Sequence, residues 1–224
     1  MSLILHIQTA LEKAMVGIAQ NGTLLAAREN AAQKEHASFL QPAIRELCRE
    51  TGISIRDLSA VSVVAGPGSY TGLRVGMAGA KGLCYALQKP LITFNTLQWM
   101  ASAGASSDAR FLCPMIDARR MEVFSAVYTP GGETIREPFA AILDEKLFEA
   151  QLEQGKTVFF GGGTAKFRAI MQHPNACFES LEAGQQELAS IGWNLYQSMV
   201  FSDLTLAAPL YVKDFHSTMN PSGQ

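Results

Sequence analysis

The chain has 224 residues, of which 48% are hydrophobic and 17% charged, and carries a formal net charge of −2. That balance suits one large domain or two small lobes with a real core and excludes a disordered chain. The cations are dispersed: Arg45, Arg49, Arg74, Lys81, Arg119 and Arg120 never form a run longer than two, so a module that grips nucleic acid alone through a concentrated basic face is not expected. Cys48, Cys84, Cys113 and Cys177 form no CxxC pair, which argues against a zinc site or redox dithiol and for reduced, buried thiols. No apolar run approaches the ~20 residues that cross a bilayer. The N-terminus MSLILHIQTA lacks the parts of a signal peptide, so the expected location is the cytoplasm.

In chain order, Leu3 to Ile7 is a short apolar run suited to a buried strand. Met15 to Ala19 and Thr23 to Ala27 flank Asn21-Gly22, a dipeptide that tolerates the positive φ of a tight hairpin. From Glu35 to Glu50, Phe39, Ala43, Ile44, Leu47 and Cys48 recur at helical spacing, and Thr51-Gly52 supplies a stop. Pro42 predicts either a helix start or a kink there. Ala60 to Ala65 reads as a strand covered on both faces. It enters GPGSYTG and then a helix from about Thr71 to Leu87.

Leu91 to Phe94 is the next strand, with Asn95 or Thr96 capping a helix over 97–103. The small-residue stretch from Gly104 to Ala109 marks a lobe boundary or hinge, giving lobes 1–104 and 105–224, the extreme C-terminal segment returning to the first. Beyond it the alternation resumes. Phe111 to Ile116, Glu122 to Tyr128 and Thr157 to Phe160 read as strands, and Pro130-Gly131-Gly132 as a turn. Helices are expected over Asp144 to Leu152, after Gly161-Gly162-Gly163-Thr164, and from Gln185 to Phe201; a polar tail follows. Two αβ lobes, each with a mixed sheet, account for this order better than one doubly wound sheet. No internal repeat is strong enough in the sequence to assert.

The glycine turn is the first candidate site. A turn between a buried strand and a helix can present free backbone N–H groups to an anion, so Gly66, Gly68, Ser69 and Thr71 form a candidate phosphate or nucleotide contact. The spacing is GxGxxxG, not the dinucleotide GxGxxG, and no acid lies near Thr93 to hold a ribose. No Walker Gly-Lys-Ser/Thr follows. Ser69 also lacks nucleophile-elbow spacing, since Pro67 and Thr71 flank it. In the helix that follows, Gly72, Gly76 and Gly79 share one face, with Ala80 beside them. Each costs ~1 kcal/mol against alanine. The stripe therefore expects a close backbone approach, either within the lobe or at a partner interface that would also include Arg74.

Asp117 and Arg119 are the candidate pair of the second lobe, able to pair with each other or a ligand. Glu122 is expected to face solvent. His6, His36, His173 and His216 are isolated, with no HxxxH, so no metal site is read.

The segment GPGSYTGLRVGMAGAKGL from Gly66 resembles the signature of the TsaB (YeaZ-like) family, whose usual form has Phe where this chain has Tyr70. LILHIQT, His36, MIDARRMEVFSAVY from Met115, GGGT at Gly161 and PLYVKDF at Pro209 match in the same order, over nearly the full length. The resemblance implies an α/β, two-lobed actin-like fold of the sugar-kinase and chaperone-ATPase type, with mixed sheets flanked by helices. It also implies a non-catalytic scaffold. In that family a longer catalytic paralogue, TsaD, helped by the small ATPase TsaE, transfers threonylcarbamoyl to the adenosine beside the tRNA anticodon. Expected partners are a TsaD-type paralogue, a TsaE-type ATPase and a second copy in a homodimer, with tRNA met only through the complex and no membrane. No cofactor is expected on the isolated chain; ATP or ADP with Mg would sit at the interface with the paralogue. The family glycine helix is the expected partner interface. Gln8 stands where an actin-like ATPase carries an acid for the metal-bound water, and Gly161 to Thr164 resembles the adenine loop, read as a remnant turn. The alternative is a small-molecule kinase or ATPase of the same fold.

Overall fold

A computed structural model describes residues 1–32, 35–104 and 108–213. The first sheet is built from β1 (Leu3–Gln8), β2 (Ala14–Gln20), β3 (Thr23–Asn30), β4 (Ala60–Gly66) and β5 (Leu91–Asn95), in the order β3-β2-β1-β4-β5. The Asn21-Gly22 turn, with φ of 50° and 83°, closes the β2–β3 hairpin. β1, β2 and β3 pair antiparallel, while β4 and β5 join parallel. Every residue of β4 is buried, as its small and β-branched sequence requires.

Two helices cover one face of this sheet: α1 (His36–Thr51) and α2 (Tyr70–Leu87). α1 runs through Pro42 instead of starting at it. Pro42 is on the solvent side, where water can serve the carbonyl that its missing N–H leaves free. Leu40, Leu47, Met77 and Cys84 of these helices bury Leu5, Val61 and Val63 of the sheet, each side chain worth ~2 kcal/mol on burial.

The second sheet repeats the plan. β6 (Phe111–Asp117), β7 (Glu122–Tyr128), β8 (Thr134–Ile142), β9 (Thr157–Phe160) and β10 (Ala176–Phe178) lie in the order β10-β9-β6-β7-β8. Strand for strand this is the first sheet again, antiparallel among β6, β7 and β8 and parallel from β6 to β9 to β10. The helices follow suit. α4 (Glu149–Gln154) stands before β9 as α1 does before β4. α5 (Thr164–Arg168) stands where α2 does, and α6 (Gln185–Gln197) where α3 (Thr96–Ser102) does. The two lobes are therefore structural duplicates that the sequence does not reveal as a repeat. An edge-to-tilted cluster of Phe148, Phe159 and Phe167, with centroids 5.0–5.5 Å apart, fills the outer side of the second sheet.

α3 and α6 hold the lobes together. One apolar cluster joins Ile4, Val64 and Phe94 to Leu112, Tyr128 and Phe160 through Trp99 and Leu188. Tyr128 donates to Asn95 Oδ1 (3.1 Å), the atom that also caps α3 at Gln98 N (2.6 Å). α6 already lies across β1, β2 and β3, so the return to the first lobe begins at Gln185 and not only at the extreme C-terminus. Ser202 then pairs with Leu91, and Leu210 N donates to Ala65 O (2.7 Å).

The structure differs from the sequence expectation in four places. β8, a stretch given no element from the sequence, carries Arg136, Glu137 and Pro138 and is an edge strand, where such residues are tolerated. β10, three residues long, was not expected. The helix expected over 144–152 is confined to α4, and α6 stops at Gln197 because Met199 turns to a φ of 54° and Val200 N caps Leu195 O. Residues 105–107 of the expected hinge, Asp214 and Phe215 of PLYVKDF, and His216 lie outside the described residues.

Candidate functional site

The two lobes face each other across a cleft of about 860 Å³. Its walls carry Gln8, Ser69 and Thr71 from the first lobe and Asp117, Arg119 and Gly161 from the second; Met15, Trp99, Met115 and Phe124 line it as well. The topology brings these residues together because β1, β4, β6 and β9 all end at this cleft.

On the first-lobe wall the polar groups are already engaged by the chain itself. Gln8 is fully buried, and its Oε1 accepts from Ala10 N (2.5 Å) and Leu11 N (3.1 Å) while Nε2 donates to Lys13 O (2.7 Å). The carboxamide thus ties down the whole β1–β2 loop. The glycine turn is closed in the same manner. Ser69 N donates to Ala10 O (2.7 Å), and Ser69 Oγ accepts from Gly72 N (3.3 Å) as the helix cap.

Side chains at the turn glycines would collide with backbone. A Cβ on Gly68 would overlap Ala10 O, and one on Gly66 would stand 2.7 Å from Leu210 O; both residues also have positive φ. The turn read as an anion cradle at Gly66, Gly68, Ser69 and Thr71 is therefore filled by the chain's own carbonyls. Of the four, Thr71 is the exposed one on the cleft wall. A nucleotide's phosphates with Mg do not fit here: the Gln8 amide has no charge to offer a hydrated cation, and Ala10 O occupies the place an anion would need.

The glycine face of α2 also points inward. A Cβ on Gly72 would overlap Thr9 O, one on Gly76 would overlap Thr9 Oγ1, and one on Gly79 would press on Leu40 at 2.7 Å. Gly72, Gly76 and Ala80 are buried. The close approach expected from these residues exists, but it is to β1 and α1 of the same lobe. The expectation that they form the surface met by a partner is corrected accordingly, and a bulky residue at Gly76 would disturb the lobe itself. The outward face of α2 carries Arg74, Ala78, Gly82 and Tyr85 instead, Tyr85 being 80% exposed.

On the second-lobe wall, Asp117 does not pair with the Arg119 side chain at ion-pair distance. It takes Lys166 Nζ (2.7 Å) and the backbone N–H of Arg119 (2.7 Å), and Lys166 holds the Asp117 carboxyl below its usual range. Lys166 also donates to Arg120 O (2.9 Å) and to the carbonyl of Glu122. The turn it supports places Arg119 and Arg120 at φ of 70° and 47°. Two consecutive side-chain-bearing residues in the left-handed region cost ~1–2 kcal/mol each. Glu122, expected to face solvent, keeps a partly exposed carboxylate that is also paired with Lys213 Nζ (2.5 Å), which lowers its carboxyl. Sequence reasoning found Asp117 and Arg119 but missed Lys166 and Lys213, which lie 49 and 91 positions from their partners and carry no local signal. Gly161 and Gly162 stay on the cleft wall, and Gly162 has open space around it.

The three described histidines are structural. His6 Nδ1 meets Ser62 Oγ at 2.7 Å under Gly192 of α6, and complete burial pushes the imidazole down to about 3. His36 Nε2 meets Glu12 O at 3.0 Å, and His173 Nδ1 accepts from Asn175 N at 3.1 Å. All four cysteines are free thiols. Among the described residues no group of three or more His, Cys, Asp or Glu could hold a metal, and no helix is long and apolar enough to cross a membrane.

Duplicated lobes of this topology around a cleft define the two-lobed actin-like ATPase fold. The family model for TsaD, tRNA N6-adenosine threonylcarbamoyltransferase, matches residues 29–217. The tRNA threonylcarbamoyladenosine biosynthesis protein TsaB of Escherichia coli is 33% identical over 71% of this chain and 71% of its own length. That of Bacillus subtilis is 32% identical over 56% of this chain and 54% of its own length. The solved structure of YeaZ from Pseudomonas aeruginosa, 25% identical, superposes with a TM-score of 0.79 over 94% of this chain and the whole of that one. The chain belongs to the TsaB/YeaZ family, named for tRNA threonylcarbamoyladenosine biosynthesis, within the wider threonylcarbamoyltransferase group.

Proposed function

We propose that this protein is the non-catalytic scaffold subunit of a tRNA threonylcarbamoyl-transfer machine. It acts in the cytoplasm beside a TsaD-type paralogue that carries the chemistry and a TsaE-type ATPase. The observation that carries this reading is Gln8. An actin-like ATPase needs a charge in the first loop to order metal-bound water, whereas here a neutral carboxamide has its acceptor and a donor committed to its own loop. The closed glycine turn points the same way, because a helix N-terminus already facing a carbonyl has little to offer a phosphate.

The surface for the paralogue, or for a second copy in a homodimer, is the outward face of α2. Small residues there (Ala78, Gly82) let another helix approach, and Tyr85 with the neighbouring Leu206, 78% exposed, offers apolar area. Lys81 fixes Leu206 beside the helix by donating to the carbonyls of Thr205 (3.3 Å) and Ala207 (2.9 Å). ATP or ADP with Mg belongs to the interface with the paralogue in this reading, not to the first-lobe turn.

Size-exclusion chromatography with the purified paralogue tests the proposal. Co-elution is expected, and Ala78→Glu should abolish it while leaving the melting temperature unchanged. Separate elution with and without nucleotide would sink the scaffold role. The retained cleft keeps one rival alive, a small-molecule kinase or ATPase; magnesium-dependent ATP turnover by the isolated chain would establish it.

A further inference from the structure

A stripe of cations and paired tyrosines crosses the cleft mouth from one lobe to the other. The Arg74 guanidinium lies 4.4 Å from the Tyr70 ring centroid, and Tyr70 stands 5.4 Å from Tyr211 at a 39° tilt. Both rings remain part-exposed, 38% and 41%. Two residues beyond Tyr211, Lys213 bridges to Glu122, whose strand begins at the Arg119-Arg120 turn that Lys166 braces from below. Arg74, Arg119 and Arg120 are exposed, and none of them makes an ion pair among the described residues. The acids in the stripe, Asp117 and Glu122, are each already paired; Glu12 and Glu182 line the cleft itself.

We propose that this lip is an RNA-contacting surface, the Arg119 and Arg120 guanidiniums taking phosphates and the tyrosines taking unstacked bases of a single-stranded loop, while Arg74 stays with the partner-facing side of α2. The inference deepens the proposed role in tRNA modification, on which it rests for the kind of nucleic acid. Three features favour RNA over an acidic peptide. Exposed guanidiniums and part-exposed aromatic rings on one lip supply the two kinds of contact, to phosphate and to base, that a strand offers. The Arg119-Arg120 turn holds two arginines where asparagine and glycine would be unstrained, so the positions keep charge against a conformational cost. Finally, the C-terminal segment that supplies Tyr211 and Lys213 is anchored on the first lobe by Leu210 and on the second by Glu122, which presets the surface. The chain's net charge of −2 fits a local contact that adds to a larger surface and does not hold RNA strongly by itself.

The test is fluorescence anisotropy with a short hairpin RNA bearing a single-stranded loop, over a salt series, using the full chain alone and mixed with the TsaD-type paralogue. Photo-crosslinking from the loop maps the contact. Replacing Arg119→Glu with Arg120→Glu should weaken binding at least about tenfold and flatten the salt slope by roughly 1.4, two phosphates at about 0.7 each. Tyr211→Ala should weaken binding about fivefold or more with little change in slope, as lost stacking does. Should the charge reversal fail to fold, Arg119→Asn with Arg120→Gly removes the same charge in a turn suited to positive φ. Crosslinks at Tyr70 or Tyr211 are expected. The inference is overturned if these variants bind as the parent does, if crosslinks fall elsewhere, if oligoglutamate competes as well as RNA, or if neither form binds RNA. A chain that binds RNA at the lip yet never associates with the paralogue would keep this surface and remove the scaffold role.

Discussion

The two lobes share one topology and close it to different degrees at the cleft. Each has a strand that ends in glycines and turns into a helix: Gly66–Gly72 into α2, and Gly161–Gly163 into α5. In the first lobe that turn is packed shut against Ala10 O, Thr9 O and Leu210 O, and the helix runs for 18 residues. In the second, Gly161 packs on Met115 O and Gly163 on Val123 and Met115, but Gly162 between them meets nothing, and the helix stops after five residues. Similar sequence punctuation therefore serves closure throughout the first turn and leaves one open position, Gly162, in the second. The lesson is that a glycine-rich turn reports a demand for close approach without saying what approaches; the answer lies in the loop across from it.

The contrast is sharpest at Gly72. A side chain there meets backbone on a buried strand end, which cannot yield as a flexible side chain would. Gly72→Val should destabilise the protein by more than about 4 kcal/mol, or prevent folding, as overpacking against fixed backbone does. Urea unfolding monitored by circular dichroism would check this. A variant that stayed within about 1 kcal/mol of the parent would mean that the first-lobe turn is open after all.

The next effect depends on pH and separates the sheets at equivalent places. His6 sits opposite Ser62 in the β1–β4 register, whereas the β6–β9 register sets Cys113 opposite Phe159, with no titrating base. Since burial lowers the His6 imidazole from 6.5 to about 3, the unfolded chain binds the proton first as pH falls. Stability from this group is therefore intact above the unfolded value of 6.5 and declines as pH drops from there toward 3, by about 1.4 kcal/mol per unit. Between pH 6.5 and 5 the parent should lose about 2 kcal/mol from this source. His6→Phe, compared by urea midpoints at both pH values, should show a shallower decline; an equal decline would remove His6 as the acid-sensitive point.

How far the sequence disclosed this arrangement depends on the range of the interaction. Continuous apolar runs such as Ala60 to Ala65 and the helical spacing of Phe39, Ala43 and Leu47 gave their elements away, because burial and periodicity are local. Asn21-Gly22 and Asn95 likewise act within a few residues. β8 was hidden because Arg136, Glu137 and Pro138 are compatible with an edge but look like a loop. The direction of the α2 glycine stripe could not be read, since spacing fixes one face but not what lies against it. Asp117 was visible, but its partner Lys166 was not, and the glutamine at position 8 showed the loss of a charge without showing the loop it holds. The duplication escaped notice because sheet order is conserved where residue identity is not.

The Arg119-Arg120 turn tests whether the second lobe keeps its cleft surface at a cost. With φ of 70° and 47°, this turn asks for asparagine and glycine. Arg119→Asn with Arg120→Gly should raise stability by about 1 kcal/mol, the relief of left-handed strain being partly offset by the added freedom of glycine in the unfolded chain. Thermal unfolding would resolve the gain. No gain, or a loss, would mean that the arginines are held by contacts that repay the strain within the folded chain.

The smallest effect is expected where the second turn faces open space. Gly162 has a φ outside the left-handed region, and a Cβ built on it meets nothing within 4 Å. Gly162→Ala should therefore change stability by no more than about 0.5 kcal/mol, and it can be slightly favourable because alanine leaves the unfolded chain with less freedom to lose. Measured beside Gly72→Val, it sets the closed turn against the open one in a single protein, with the fold otherwise the same. A loss of several kcal/mol at Gly162 would show that the second turn is as tightly engaged as the first. The difference between the lobes would then lie in their helices alone: α2 would be the longer helix on an equivalent turn, and the openness of the second-lobe wall would have to come from the brevity of α5.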